Sequence, residues 1–113
     1  MSEVIVVFIT TANREEAARL ADMLVGSRLA ACVQILPEIE SVYRWKGQVQ
    51  REAEVLLLAK STRDRFDELE RQTRAIHSYE TPEILAVPAA AVSEPYRKWL
   101  EESTLMVKAK SLF

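Results

Sequence analysis

A chain of 113 residues, 49% hydrophobic and 28% charged with only 2 Gly and 4 Pro, has the balance of one globular domain over 1–113 rather than of a disordered tail. Its 15 basic and 17 acidic residues leave a formal net charge of −2, and the absence of any Lys/Arg block argues against nucleic acid as a partner and gives no reason for a membrane one. The single cysteine, Cys32, excludes an intramolecular disulfide framework, and a start without a basic n-region or long apolar stretch completes the expectation of a cytoplasmic protein.

Val4, Ile5, Val6, Val7, Phe8 and Ile9 form an apolar, mostly β-branched run, which predicts a strand buried on both faces. Asn13, with Glu16 three positions on, has the spacing of a helix cap and capping box. Ala17, Leu20, Ala21 and Leu24 then recur at helical spacing, with Gly26 as the stop. Residues 29–45 read as extended, and Pro37 requires a bend, a bulge or a sheet-edge position there. Beyond it Ile39, Ser41, Tyr43 and Trp45 share one face, and Glu40, Val42 and Arg44 the other. Lys46 and Gly47 supply a turn, and residues 48–60 return antiparallel with 55–59 as their buried end.

Ser61 or Thr62 is the expected cap of a second helix, Ser61 standing at capping-box distance from Asp64. Phe66, Leu69, Thr73 and Ile76 make its inner face, and it ends near His77, Ser78 and Tyr79. Residues 83–87 form a last short strand cut off by Pro88. Ser93 caps a third helix with Pro95 in its first turn and Tyr96, Trp99 and Leu100 as its apolar face. Residues 103–113 stay open between an added edge strand and a mobile tail.

The resulting order is α+β, a ferredoxin-like βαββαβ arrangement with a four-stranded antiparallel sheet, an extended hairpin between the second and third strands, and a C-terminal helix. Right-handed crossovers put both long helices on one sheet face and leave the other bare. The hairpin arms are about three times the usual strand length. Two helices cannot cover arms of that length, so Ile39, Tyr43, Trp45 and Val49 project into water on a ribbon with open edges. Pairing with identical ribbons in a closed ring resolves this, as does a fold-back at Pro37.

Several strings carry a family resemblance. Ala31-Cys32-Val33-Gln34-Ile35-Leu36-Pro37 and Ser41-Val42-Tyr43-Arg44-Trp45-Lys46-Gly47 resemble the strand signature and hairpin tip of the CutA divalent-cation tolerance family. Residues 54–61, then Ile76-His77-Ser78-Tyr79-Glu80-Thr81-Pro82-Glu83-Ile84 and Tyr96-Arg97-Lys98-Trp99-Leu100, match further blocks of that family in order. Gln34 stands where many relatives have Asn, and Ser61 follows Lys60 where Thr is more usual. The resemblance implies a cytoplasmic homotrimer associated with tolerance of copper and other divalent ions. No cofactor is expected to be tightly bound; Cu²⁺ or another divalent cation is the implied ion.

His77, the only histidine, is open between a metal ligand beside Glu80 or Glu83 and a helix-terminal hydrogen bonder. Cys32 is open between a small buried apolar residue and a soft ligand for copper(I). One chain holds too few Cys and His side chains for a closed zinc site. A metal held by His77, Cys32 and Glu83 therefore calls for carboxylates, water or donors from neighbouring chains. Lys60 and Tyr79 lie with Glu83 at strand and helix ends, where they could line a ligand pocket between subunits. Tyr43, Trp45 and Ile39 read as trimer-interface packing, since no basic groove makes the aromatics a platform for bases. Glu52 and Glu54 read as solvated edge charges. Without a phosphate loop, a nucleophile elbow or a His-Glu-x-x-His motif, no enzyme is indicated. Two other readings stand beside the metal one: a trimeric small-molecule sensor resembling the PII-type nitrogen-signalling proteins, and a structural adaptor for another protein.

Overall fold

The computed structural model describes residues 2–105, so the open assignment at the tail lies outside the described residues from 106 onward. The elements are β1 (Val4–Thr11), α1 (Arg14–Gly26), β2 (Cys32–Trp45), β3 (Gln48–Thr62), a 3-10 turn (Arg63–Arg65), α2 (Phe66–Ile76), β4 (Ile84–Pro88) and α3 (Glu94–Ser103). The strands make one antiparallel sheet in the order β2-β3-β1-β4. This is the ferredoxin-like arrangement with a C-terminal helix that the element order predicts.

Strand alternation decides which residues enclose the core. Ile5, Val7 and Ile9 of β1 and Leu57 and Ala59 of β3 pack with Ala17, Leu20 and Leu24 of α1 and Leu69 of α2. Full burial of each large aliphatic side chain contributes roughly 1.5–3 kcal/mol. The opposite face differs from expectation in two ways. Val6 and Phe8 are only half-buried, so β1 is not sealed on both sides. The face is not wholly bare either, because Leu100 of α3 closes over Val4 and Ala31 at one end.

Asn13 caps α1 as read, its Oδ1 accepting from the Glu16 amide at 2.9 Å. Other terminal assignments change. Past Gly26 the chain reverses with Arg28 in the left-handed region at φ 63°, and the Leu29 and Ala30 amides bond back to the Leu24 carbonyl. Ser61 is no cap: it lies inside β3, and its buried hydroxyl donates to the Leu29 carbonyl at 2.5 Å. Thr62 precedes the 3-10 turn without a side-chain cap, donating instead to the Asp64 carboxylate. Ser93 makes no side-chain cap bond either. Ile76 is half exposed because α2 ends with it, and Tyr96 and Trp99 pack against each other at a tilt outside the core while Leu100 alone of the three turns inward.

The hairpin is as long as the sequence implies. β2 and β3 stay paired out to Trp45 opposite Gln48, with a register shift between Leu36 and Ile39 that absorbs Pro37 and Glu38 on what is also an edge strand. Lys46 at φ 52° and Gly47 at φ 78° close it; two adjacent left-handed residues suit a tight hairpin turn. The ribbon stretches the protein to 53 × 32 × 23 Å.

Candidate functional site

Three segments meet at the root of the ribbon. β3 carries Glu52 and Glu54 on the sheet face away from α1, opposite Ser41 and Ile39 of β2. Beside them runs the connection from α2 to β4, residues 77–83. This connection has little regular structure, and side chains hold it in place.

His77 is the anchor, with its side chain fully enclosed. Its Nε2 lies 2.8 Å from the Thr10 carbonyl, and its Nδ1 accepts the Tyr79 amide at 3.0 Å. An Nδ1 that accepts leaves the proton on Nε2, where it donates to Thr10. Both ring nitrogens are thus engaged by the fold. Glu16, buried at the start of α1, clamps the next residue, its carboxylate accepting the Ser78 amide at 2.6 Å and the Ser78 hydroxyl at 2.9 Å. The Ala12 amide also reaches it at 3.4 Å, and His77 Nδ1 lies 3.5 Å away. Burial disfavours the charged form of Glu16. The Ser78 backbone and side-chain bonds and the Ala12 amide outweigh that penalty and hold the carboxyl below its usual range.

This clamp aims Tyr79 across the cleft. Its hydroxyl donates to Glu54 Oε2 at 2.7 Å, and burial, then the bond to Glu54, pushes the phenol well above its ordinary value. Tyr43 donates to Glu52 in the same way and is raised chiefly by that bond. Glu83 is raised by burial and by the nearby charge of Glu54. The space enclosed is about 590 Å³, lined among others by Tyr43, Trp45, Glu52, Glu54, Tyr79 and Glu83.

Of the residues singled out in the sequence, Tyr43, Trp45, Tyr79 and Glu83 thus meet at one cleft. Ile39 sits half-buried opposite Glu54 at its edge. His77 lies behind the wall rather than in it. Lys60 is outside the cleft, paired with Cys32 and Val6 and donating to Gln34 Oε1. Cys32 shares that end of the sheet, with Sγ 3.7 Å from the Tyr96 hydroxyl. Val6, level with it, is four residues from the Thr10 that holds His77, about 13 Å along a strand. Cys32, His77 and Glu83 therefore do not converge within one chain. Among the described residues no group of three His, Cys, Asp or Glu side chains is arranged to hold a metal. The donors the cleft does offer are carboxylate oxygens, which fit a cation that keeps water or takes ligands from a neighbour.

Two residues that matter here escaped the sequence reading. Glu54, taken as a solvated edge charge, is half-buried under Tyr79. Glu16 was noticed only for its capping-box spacing; nothing local signals that it reaches a loop 62 positions away.

A split βαβ sheet with a protruding hairpin and an acid-lined cleft at its root, on the sheet face away from α1, defines a ferredoxin-like α+β protein. The profile of the CutA1 divalent ion tolerance protein family matches residues 5–103, and the chain belongs to that family. It is 46% identical over 99 residues to the divalent-cation tolerance protein CutA of Thermus thermophilus, covering 88% of this chain and 96% of that one. It is 44% identical over 100 residues to the chloroplastic CutA protein of Arabidopsis thaliana, covering 88% of this chain and 55% of the relative; the chain spans about half the length of such plant relatives. The solved CutA1 structure from Thermus thermophilus superposes with a TM-score of 0.88 at 44% identity, covering 89% and 98% of the two chains. The periplasmic CutA of Archaeoglobus fulgidus gives 0.87 at 32%, covering 90% and 99%. Relatives described as chloroplastic and periplasmic mean that family membership does not carry the cytoplasmic expectation with it. No helix among the described residues is long and apolar enough to cross a membrane. The family is named for ion tolerance, not for a catalysed reaction.

Proposed function

We propose that the whole chain, 1–113, acts as one unit of a cytoplasmic, non-catalytic homotrimer that responds to divalent cations, copper foremost, and binds them at clefts shared between subunits. The observation that carries this reading is the cleft at the ribbon root, where partial burial and then the nearby charge of Glu54 disfavour ionisation of Glu83. A bound cation relieves that repulsion. Glu83 is the first ligand in this reading. Cys32 joins only from another chain, and His77 only by giving up a bond to Thr10 or Tyr79. Assembly is supported by the ribbon itself, which leaves Val42, Tyr43, Trp45 and Val49 exposed on a single chain; a closed ring of copies covers such a ribbon without growing fibres.

Native mass spectrometry with and without Cu²⁺ tests both halves. The expected result is a three-chain species that gains copper in the parent and loses that gain in Glu83→Gln. A single-chain species at micromolar concentration sinks the assembly reading. Copper uptake unchanged in Glu83→Gln, His77→Ala and Cys32→Ser removes all three proposed ligands.

A second reading, a small-molecule sensor resembling the PII type, is favoured by the size of the cleft. Its volume of about 590 Å³ far exceeds what an ion fills and lies in the range of about 300–1,000 Å³ usual for organic ligands. An adaptor role for a partner protein, the third reading, draws its support only from the exposed ribbon.

A further inference from the structure

The chemistry of the cleft wall selects among organic ligands more sharply than its volume does. Four glutamates line it, Glu52, Glu54, Glu80 and Glu83, and among the described residues no Lys or Arg does. Organic anions, nucleotides and phosphates included, would enter against that charge. The same wall carries three aromatic rings, those of Tyr43, Trp45 and Tyr79. Aromatic faces attract organic cations and also cover aliphatic carbon, which a hydrated metal ion lacks. With no group of three metal-type ligands converging among the described residues, the rings would be idle around an inorganic ion alone.

The back of the cleft is rigid, which a ligand site requires. Ser78 is held by Glu16, and the Tyr79 amide by His77. Tyr79 is therefore oriented before anything binds, and its hydroxyl already holds Glu54 in place. Glu52 and Glu54 stand two residues apart on one face of β3, about 7 Å along the strand. Each accepts one bond from a tyrosine and keeps further acceptor sites for another donor.

We propose that this cleft binds a small organic ammonium compound, its nitrogen placed against Glu54 and Glu83 and its carbon chain laid on the rings of Tyr43, Trp45 and Tyr79. A diamine fits best, because a second ammonium reaches Glu52 along the strand. The inference rests on the second reading above, that the cleft holds an organic ligand, and on the rings of Tyr43 and Trp45 still facing the cleft once copies assemble.

Isothermal titration of the purified, assembled protein tests it with four probes: 1,4-diaminobutane and tetraethylammonium as cations, succinate as the anion and 1,4-butanediol as the neutral analogue. The expected result is binding of 1,4-diaminobutane at one per chain, weakened by added salt and about tenfold weaker in Glu54→Gln and in Glu83→Gln. Glu70→Gln, which changes a glutamate on the outer surface of α2, should bind like the parent. Both cleft variants are near-isosteric, and an unchanged melting temperature without ligand shows that they fold. Should succinate or butanediol bind and lose affinity in the variants while the amines do not, the chemical class is wrong although the cleft still takes an organic ligand. If none of the four binds, both the inference and the reading beneath it fall.

Discussion

Ile5, Val7, Ile9 and Leu57 in the body and Val42, Tyr43, Trp45 and Val49 on the ribbon come from the same strand-forming residue types, yet the first set is enclosed and the second stands in water. In the body, each inward side chain meets a helix residue at the right height, such as Leu20, Leu24 or Leu69. On the ribbon the same alternation continues past the end of the helix layer. Strand formation alone therefore does not make a core; a second layer must be within reach. The ribbon holds its shape through backbone pairing, a turn and cross-strand contacts, which are marginal for an isolated two-stranded hairpin. Its side chains are left free to meet something other than their own chain.

Mutations that act through one region and not the other test this contrast. The largest effect belongs to Leu57→Ala, which opens a cavity in the sealed layer. It should cost about 2–5 kcal/mol and lower the melting temperature equally at every protein concentration. Val49→Lys on the ribbon should behave differently, lowering the melting temperature in a concentration-dependent way, because it acts on association. A Val49→Lys effect independent of concentration would mean that the ribbon is stabilised within one chain.

Glu16→Gln comes next. It keeps the shape but takes away a buried carboxylate that accepts from Ser78 and Ala12, at a cost of about 1–3 kcal/mol. Since the folded-state carboxyl is held below its ordinary value, its contribution is fully present above the unfolded-state value. That contribution is lost as pH falls through the lowered one. Denaturation followed by circular dichroism should show a parent whose stability drops on that acid limb and a variant whose drop is shallower. Parallel acid limbs would show that the clamp adds nothing.

Gly47→Ala is smaller, about 1 kcal/mol, and purely conformational: φ is 78° and nothing lies within 4 Å of where the new methyl would sit. A loss near that size in urea denaturation, with unchanged slope, would bear this out; a loss several times larger would mean that the turn is packed. Glu83→Gln is the smallest and has the opposite sign. The carboxyl is raised by burial and by Glu54, so the stability it supports is complete below its unfolded-state value and declines as pH rises through the raised one. With the group largely open to solvent, removing the charge should gain no more than a few tenths of a kcal/mol at pH 7. A fall in melting temperature for Glu83→Gln would show that the ionised form is stabilised by a partner outside the described residues.

How much was legible varies along the chain. The strand at Val4 and the helix after Asn13 could be read because their signals are local, an apolar run and a cap followed by a 3.6-residue period. The hairpin turn at Lys46 and Gly47 was legible for the same reason. Ser61 misled because a serine ahead of an acidic residue has the same spacing whether it caps a helix or lies buried in a strand, and only the nearby Leu29 carbonyl distinguishes the two. Tyr96 and Trp99 misled in the opposite direction, their periodicity marking a face that a single chain does not bury. At the cleft, Tyr79 and Glu83 were found, while Lys60 was grouped with them because strand ends look close when reduced to an element order. Pairing puts Lys60 level with Cys32, near the opposite end of β1 from the residue that holds His77.

By itself the sequence determined the element order, the length of the hairpin and its turn, because backbone preferences and side-chain periodicity act over a few residues and are written in adjacent letters. The tertiary structure alone decided that Glu16 restrains Ser78, that both nitrogens of His77 are engaged by the backbone, and that Glu54 lies beneath Tyr79. Apart from the bond between His77 and the Tyr79 amide two positions on, those contacts join residues 25 to 67 positions apart, and their partners are chosen by the geometry of sheet and helix packing, which no local pattern records.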